Sequence, residues 1–135
     1  MECQGRSGTA HIIDISRAMD FPLMTSAILA NLLKLIDTPR DGALLRYSIG
    51  NEYLKAGDTA EAARHLREAV VRDPNHSASW KLLGKTLAES GAIEEALEAY
   101  RSGIAVAEKR GDRQAVKEMQ VFVRRLEKQA GSGRD

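Results

Sequence analysis

The chain lacks the features of a β-rich, disulfide-bonded or membrane-spanning protein. Only 4% of its 135 residues are aromatic and three are proline, and the β-branched and aromatic runs of long strands are scarce. A single cysteine, Cys3, excludes an intramolecular disulfide and a cysteine-built metal site. The most apolar stretch, residues 21–36, contains Asn31 and Lys34 and falls short of the roughly 18 uncharged residues that a spanning helix needs. We therefore expect a cytoplasmic protein without a membrane partner.

Charge of one sign is also lacking, because 20 basic and 19 acidic residues leave a formal net charge of +1. This balance gives no strong general field for nucleic acid or for a membrane. Arg124, Arg125 and Lys128 cluster near the C-terminus, but Glu127 lies beside them and no aromatic residue is interleaved for base stacking. We expect a solvated helix face there and no nucleic acid as a partner.

Sequence patterns typical of helices cover most of the chain. Apolar residues make up 43% and charged residues 29% of the chain, which is the composition of one soluble globular domain. Apolar periodicity and capping residues predict six helices over residues 23–36, 39–56, 58–72, 77–90, 93–109 and 112–129. Thr38 before Pro39 indicates one N-cap, and Asp58 with Glu61 indicates a capping box.

The two ends of the chain have different compositions from the middle. Helix-breaking residues are frequent in the first 20 positions, so we expect residues 1–20 to form a loose N-terminal extension. Residues 131–135 contain two glycines and are expected to form a flexible tail. A single helical domain over residues 21–130 lies between these ends.

The middle of the chain repeats itself at an offset of 34 residues. Matching pairs are Gly50/Gly84, Gly57/Gly91, Glu61/Glu95, Ala62/Ala96 and Arg67/Arg101. This period resembles the tetratricopeptide repeat (TPR), whose consensus places Trp, Leu-Gly, Tyr, Ala, Phe and Pro at fixed positions. The second unit has Trp80, Leu83, Gly84, Leu87, Ala96 and Tyr100, and the first has Ile49, Gly50, Tyr53, Ala62, Leu66, Ala69 and Pro74. Arg46 stands where the first unit would have its tryptophan.

The resemblance is to a small bacterial-type TPR protein with two repeats and a C-terminal capping helix. It implies an all-α fold, a right-handed superhelical stack of antiparallel helix pairs (a TPR-like α-solenoid), with repeats at residues 43–76 and 77–110. Gly50 and Gly84 are expected at close helix contacts with Ala62 and Ala96 as small partners. In the cap, residues 112–129, the inward positions are predicted to be Val116, Met119, Val123 and Leu126.

The chain shows no pattern typical of catalysis or of a cofactor. His65 lies among charged residues and is expected on the solvated surface of its helix. The histidines lack ligand spacing with a carboxylate, so we predict no metal site. No nucleophile signature and no glycine-rich phosphate loop after a strand is visible. We therefore expect a protein that is not an enzyme and that carries no cofactor.

The resemblance implies a protein-interaction module that binds a peptide or protein segment in the concave groove of the first helix of each unit. The groove-facing positions predicted at i, i+4 and i+7 are Tyr47, Asn51 and Leu54 on one helix, and Lys81, Lys85 and Ala88 on the next. An aromatic, an amide and two lysines suit an acidic segment with an apolar anchor. The alternative is a structural scaffold protein that self-associates, as a homo-oligomer, through its apolar N-terminal helix.

Overall fold

The structure, a computed structural model, describes residues 27–134 and shows an all-α architecture over that range. Its six helices are α1 (residues 27–33), α2 (Ala43–Lys55), α3 (Thr59–Arg72), α4 (Ser77–Glu89), α5 (Ile93–Arg110) and α6 (Arg113–Arg134). No strand occurs within these residues. The loose extension predicted over residues 1–20 lies outside the described residues.

The helices stack in chain order as antiparallel pairs. Helix α2 packs against α3, α4 against α5, and α6 against α5, while α3 joins the two pairs by contacting α4. Three glycines follow α2, α4 and α5 in the left-handed region, Gly57 at φ +85°, Gly91 at φ +88° and Gly111 at φ +72°. A residue without a Cβ adopts this conformation at little cost, which allows the chain to reverse within a few residues. The predicted stack of helix pairs is confirmed.

The start of α2 differs from the prediction. Thr38 is not an N-cap, because it lies in a turn and α2 begins only at Ala43. The Asp41 carboxylate, expected in the first helical turn, instead accepts hydrogen bonds from Arg46 Nε and from the Asp37 backbone N–H, each at 2.9 Å. These bonds hold residues 37–42 as a folded turn. Helix α1 accordingly ends at residue 33, three residues before its predicted end.

Two further helix ends differ in detail. The side chain of Asp58 caps α3 by accepting from the Glu61 backbone N–H at 3.1 Å, but the Glu61 carboxylate pairs with Arg64 at 2.6 Å. The capping box is therefore only half formed. Helix α6 continues to Arg134, so residues 130–134 extend the helix beyond the predicted end at residue 129. Glycine inside a helix costs about 1 kcal/mol without blocking it, and residues 130–134 contain no proline.

Close helix contacts occur at both repeat glycines, as predicted, but their nearest neighbours are large side chains. A Cβ at Gly50 would lie 2.6 Å from Leu66 Cγ, and one at Gly84 would lie 2.9 Å from three ring carbons of Tyr100. Ala62 and Ala96, the partners predicted from the sequence, are fully buried nearby. The space that each glycine leaves is therefore filled by a leucine or a tyrosine ring from the second helix of its unit.

Helix α6 covers the end of the core. Met119 is fully buried and Leu126 is buried, while Val116 and Val123 are partly buried against the same cluster. The sulfur of Met119 lies 2.7 Å from the position that a Cβ at Gly103 would take, which explains why α5 has a glycine there. The inward face predicted for the capping helix is confirmed, and its basic residues Arg124, Arg125 and Lys128 are exposed.

His65 is buried, contrary to the expectation of a surface position. Its side chain is 1% exposed, and its ring stacks on Tyr53 with centroids 5.5 Å apart. Arg46 Nη1 lies 3.2 Å from Nδ1 and Arg64 Nη2 lies 3.1 Å from Nε2 of the imidazole. Arg46 also forms a buried ion pair with Asp41. Hydrogen bonds from Arg46 and from the backbone of residue 37 hold the pKa of the Asp41 carboxyl far below its usual range.

We expect this histidine to make stability fall in mild acid. Burial, with the positive charges of Arg64 and Arg46 next to it, lowers the pKa of His65 below its ordinary value of 6.5. The unfolded chain then takes up a proton near pH 6.5 before the folded chain does, so stability is highest above that pH and falls as the pH decreases. Thermal melts at pH 7.5 and 5.5 should show a larger loss for the wild type than for His65→Gln. Equal losses would show that another group controls the acid sensitivity.

Candidate functional site

The first helices of successive pairs, α2, α4 and α6, line one side of the stack. Helix α4 contacts both α2 and α6, so the three helices form a continuous surface. A cavity of about 370 Å³ opens between them. Its lining residues are Tyr47 from α2, Ala78, Lys81, Leu82 and Lys85 from α4, Tyr100 from α5 and Phe122 from α6. We call this surface, together with an adjoining cavity lined by Ala88 and Arg125, the groove.

Four of the six residues predicted for the groove line its two cavities. Tyr47, Lys81 and Lys85 line the first cavity. Ala88 lines a second cavity of about 240 Å³, together with Lys85, Glu89, Tyr100, Phe122, Arg125, Leu126 and Gln129. Asn51 and Leu54 are half-buried on α2 and line neither cavity. The six residues remain a predicted binding site.

Two stacked aromatic rings form the floor shared by both cavities. The rings of Tyr100 and Phe122 have centroids 5.4 Å apart and are inclined by 12°. Burial and the nearby Glu89 carboxylate raise the pKa of Tyr100 to about 12, so its phenol is neutral at physiological pH. Phe122 was missed in the sequence analysis, although its spacing from Met119 and Leu126 at i, i+3 and i+7 signals the same apolar face.

The walls of the groove are polar side chains with specific partners. The Tyr47 ring meets the His76 ring edge-on, with centroids 5.4 Å apart and an interplanar angle of 82°. Lys81 Nζ donates to Glu118 Oε1 at 2.8 Å, which links α4 to α6. Lys81 is therefore not the free cation that the sequence suggested.

Two other cations of the groove have no carboxylate partner among the described side chains. Lys85 is exposed and makes no ion pair among the described side chains. The Arg125 guanidinium lies 5.9 Å from the centroid of the Phe122 ring and borders the second cavity. The groove thus combines an aromatic floor with one lysine from α4 and one arginine from α6.

Within residues 27–134, no group of three His, Cys, Asp or Glu side chains is arranged to hold a metal ion. None of the helices described is both long enough and apolar enough to cross a membrane.

Comparison with known proteins identifies the family. A tetratricopeptide-repeat family model matches residues 47–112. A TPR repeat-containing protein of Pseudomonas aeruginosa is 45% identical over 101 residues, which cover 75% of this chain and 96% of that protein. Among solved structures, a Bordetella parapertussis protein has a TM-score of 0.66 at 42% identity, covering 76% of this chain and 89% of that one. The Sgt2 TPR domain of Aspergillus fumigatus shares the fold, with a TM-score of 0.71 at 22% identity over 90% of this chain and 80% of that one. The chain therefore belongs to the tetratricopeptide-repeat family, whose repeats generally serve as protein–protein interaction modules.

Proposed function

We propose that this protein is a non-enzymatic interaction module that binds a peptide or protein segment in the groove. The observation that carries the proposal is the 370 Å³ cavity, because residues from all three first helices and from α5 converge on it. A volume of a few hundred Å³ with mainly apolar lining and a few polar groups is typical of ligand sites. Repeats of this family generally bind proteins, which supports the interaction role.

The side chains favour a ligand with an apolar anchor and neighbouring acidic groups. The anchor would lie on the ring pair of Tyr100 and Phe122, with Tyr47 beside it. Carboxylates of the ligand would meet Lys85 and Arg125, which line the groove without a carboxylate partner among the described residues. Exposed charge contacts contribute about 0.2–1 kcal/mol each, so the aromatic contacts should provide most of the affinity.

The proposal is tested with the tightest peptide selected from a random dodecapeptide phage library. Tyr47→Ala combined with Lys85→Glu should weaken its binding about tenfold or more in calorimetry, because an aromatic contact and a favourable charge are both lost. The control, Val71→Ala with Lys109→Glu, truncates one apolar side chain and reverses one lysine charge at exposed positions outside the groove. Its affinity should change less than about twofold.

Melting temperatures of both double variants serve as the folding control and should stay within a few degrees of the wild type. If neither the groove variant nor the control variant changed the affinity, the peptide would bind outside the groove.

A second candidate function, self-association through the N-terminal helix, is favoured by the exposure of its apolar side chains. None of the six large aliphatic residues between positions 27 and 36 is buried, and Ile28 is 51% exposed. Leu44 and Val71, at the adjoining ends of α2 and α3, are also exposed. Light scattering tests this candidate: a dimer that Ile28→Glu converts to a monomer would support it, and a wild-type monomer at high concentration would exclude it.

A further inference from the structure

One lysine of the groove already forms an ion pair with a carboxylate of the protein itself. Lys81 lines the first cavity, and its ammonium group lies 2.8 Å from Glu118 Oε1. Glu118 lines neither cavity, but it precedes Phe122 by one helical turn on the same face of α6, and its carboxylate holds a lysine that lines the first cavity. Glu118 therefore lies where an acidic group of a ligand seated on that floor would reach Lys81.

This ion pair is weak enough to be exchanged. The side chains of Lys81 and Glu118 are 40% and 42% exposed, so water screens their attraction. Hydrogen bonding to Lys81 lowers the pKa of Glu118, which keeps its carboxylate ionised at neutral pH. The Glu118 carboxylate thus places a permanent negative charge next to Lys81, which an incoming carboxylate must displace or avoid.

We propose that Glu118 acts as a built-in competitor for the acidic group of the ligand at Lys81. The inference rests on the proposed function of the groove and adds the identity of a residue that sets its preference for charge. With Glu118 in place, Lys81 contributes little to the binding of acids, and discrimination between acidic and neutral ligands depends on Lys85 and Arg125. Removing the competitor carboxylate should free Lys81 and strengthen the binding of acids specifically.

The probes are two fragments that differ only in charge, indole-3-propionate and its neutral amide. Each carries an aromatic anchor for the ring pair, and only the first carries a carboxylate. Binding is followed by titration of the ¹⁵N-labelled protein at low ionic strength, through the amide signals of Tyr47, Lys85 and Phe122. Glu118→Gln should tighten the acid about twofold to fivefold, the range expected for one exposed ion pair, and leave the amide unchanged.

Two further variants test whether the gain in affinity arises at Lys81. Glu127→Gln is the matched control, because it removes the same charge from the same helix and breaks the 2.9 Å pair with Arg101, outside both groove cavities. It should not change the affinity for the acid. Adding Lys81→Met to Glu118→Gln should abolish the gain, because the freed ammonium group is then absent.

Three results would overturn the inference. Equal affinity of wild type and Glu118→Gln for the acid, with both fragments still shifting the groove signals, would reject the competition and leave the proposed groove intact. An equal gain in Glu127→Gln would show a general effect of net charge instead. Failure of both fragments to shift the groove signals in any variant would reject the competition together with the groove itself.

Discussion

A chain that stops at Gly111 is expected to aggregate and to lose its cooperative unfolding transition. This truncation removes α6, and with it the buried side chains of Met119 and Leu126. The face of α5 around Tyr100, Gly103 and Ala107, all buried in the intact protein, would then be open to water. A repeat stack needs a terminal element with one polar face, and an exposed apolar face of this kind promotes association.

Circular dichroism melts and light scattering of the two chains test this expectation. A chain that ends at Ala130 is the matched control, because it keeps the core residues of α6 and loses only the last five residues of the chain. That control should remain soluble and melt within a few degrees of the full chain. A monomeric, cooperatively melting chain ending at Gly111 would refute the assignment of α6 as a cap.

Gly84→Leu is expected to destabilise the second repeat strongly. The new Cβ would stand 2.9 Å from three ring carbons of Tyr100, well inside van der Waals contact. Tyr100 is 2% exposed and its ring is stacked on Phe122, so a movement away from the new side chain would break that stacking. Overpacking of this kind costs about 1–3 kcal/mol, which lowers the melting temperature of a small domain by roughly 5–20 °C.

Gly131→Leu is the control for this substitution, because Gly131 is also helical but has no atom within 4 Å of a new Cβ. It should leave the melting temperature unchanged or raise it slightly, since leucine has the higher helix propensity. Similar losses in both variants would mean that the cost arises from the helix backbone and not from the contact with Tyr100.

The fold was largely predictable because its determinants are local or periodic. Glycine is a common signal for the end of a helix, and Gly57, Gly91 and Gly111 each follow one in the left-handed conformation. Gly50 and Gly84 recur at the repeat offset, and both lie at close helix contacts. Such signals need only a few neighbouring residues or a constant spacing to be recognised.

The errors concern contacts between residues far apart in the sequence. His65 looks like a surface residue among its charged neighbours, but Arg46, 19 positions earlier, pairs with its ring within the buried cluster that includes Asp41. Lys81 looks free on α4, but its partner Glu118 is 37 positions later on the capping helix. The turn before α2 was misassigned for the same reason, because Arg72, 31 positions later, donates to the Asp41 carbonyl oxygen and pairs with its carboxylate.

The candidate site was predictable in its location more than in its chemistry. The spacing of Tyr47, Lys81 and Lys85 placed these residues on first helices, and all three line one cavity. The aromatic floor could not be derived from the repeat alone, because it pairs Tyr100 of α5 with Phe122 of the capping helix α6, which lies outside both repeats. The positive charge available to a ligand was not predictable either, because it depends on which lysines and arginines already form ion pairs within the fold.

The central claim is that the groove is the binding surface, and chemical-shift mapping of the phage-selected peptide tests it most directly. The ¹⁵N-labelled protein is titrated with that peptide, and the amide shifts are plotted along the chain. We predict that the largest shifts occur at Tyr47, Lys85 and Phe122, on three different helices that share the groove. Largest shifts on the outer faces of α3 and α5, or along α1, would contradict the account.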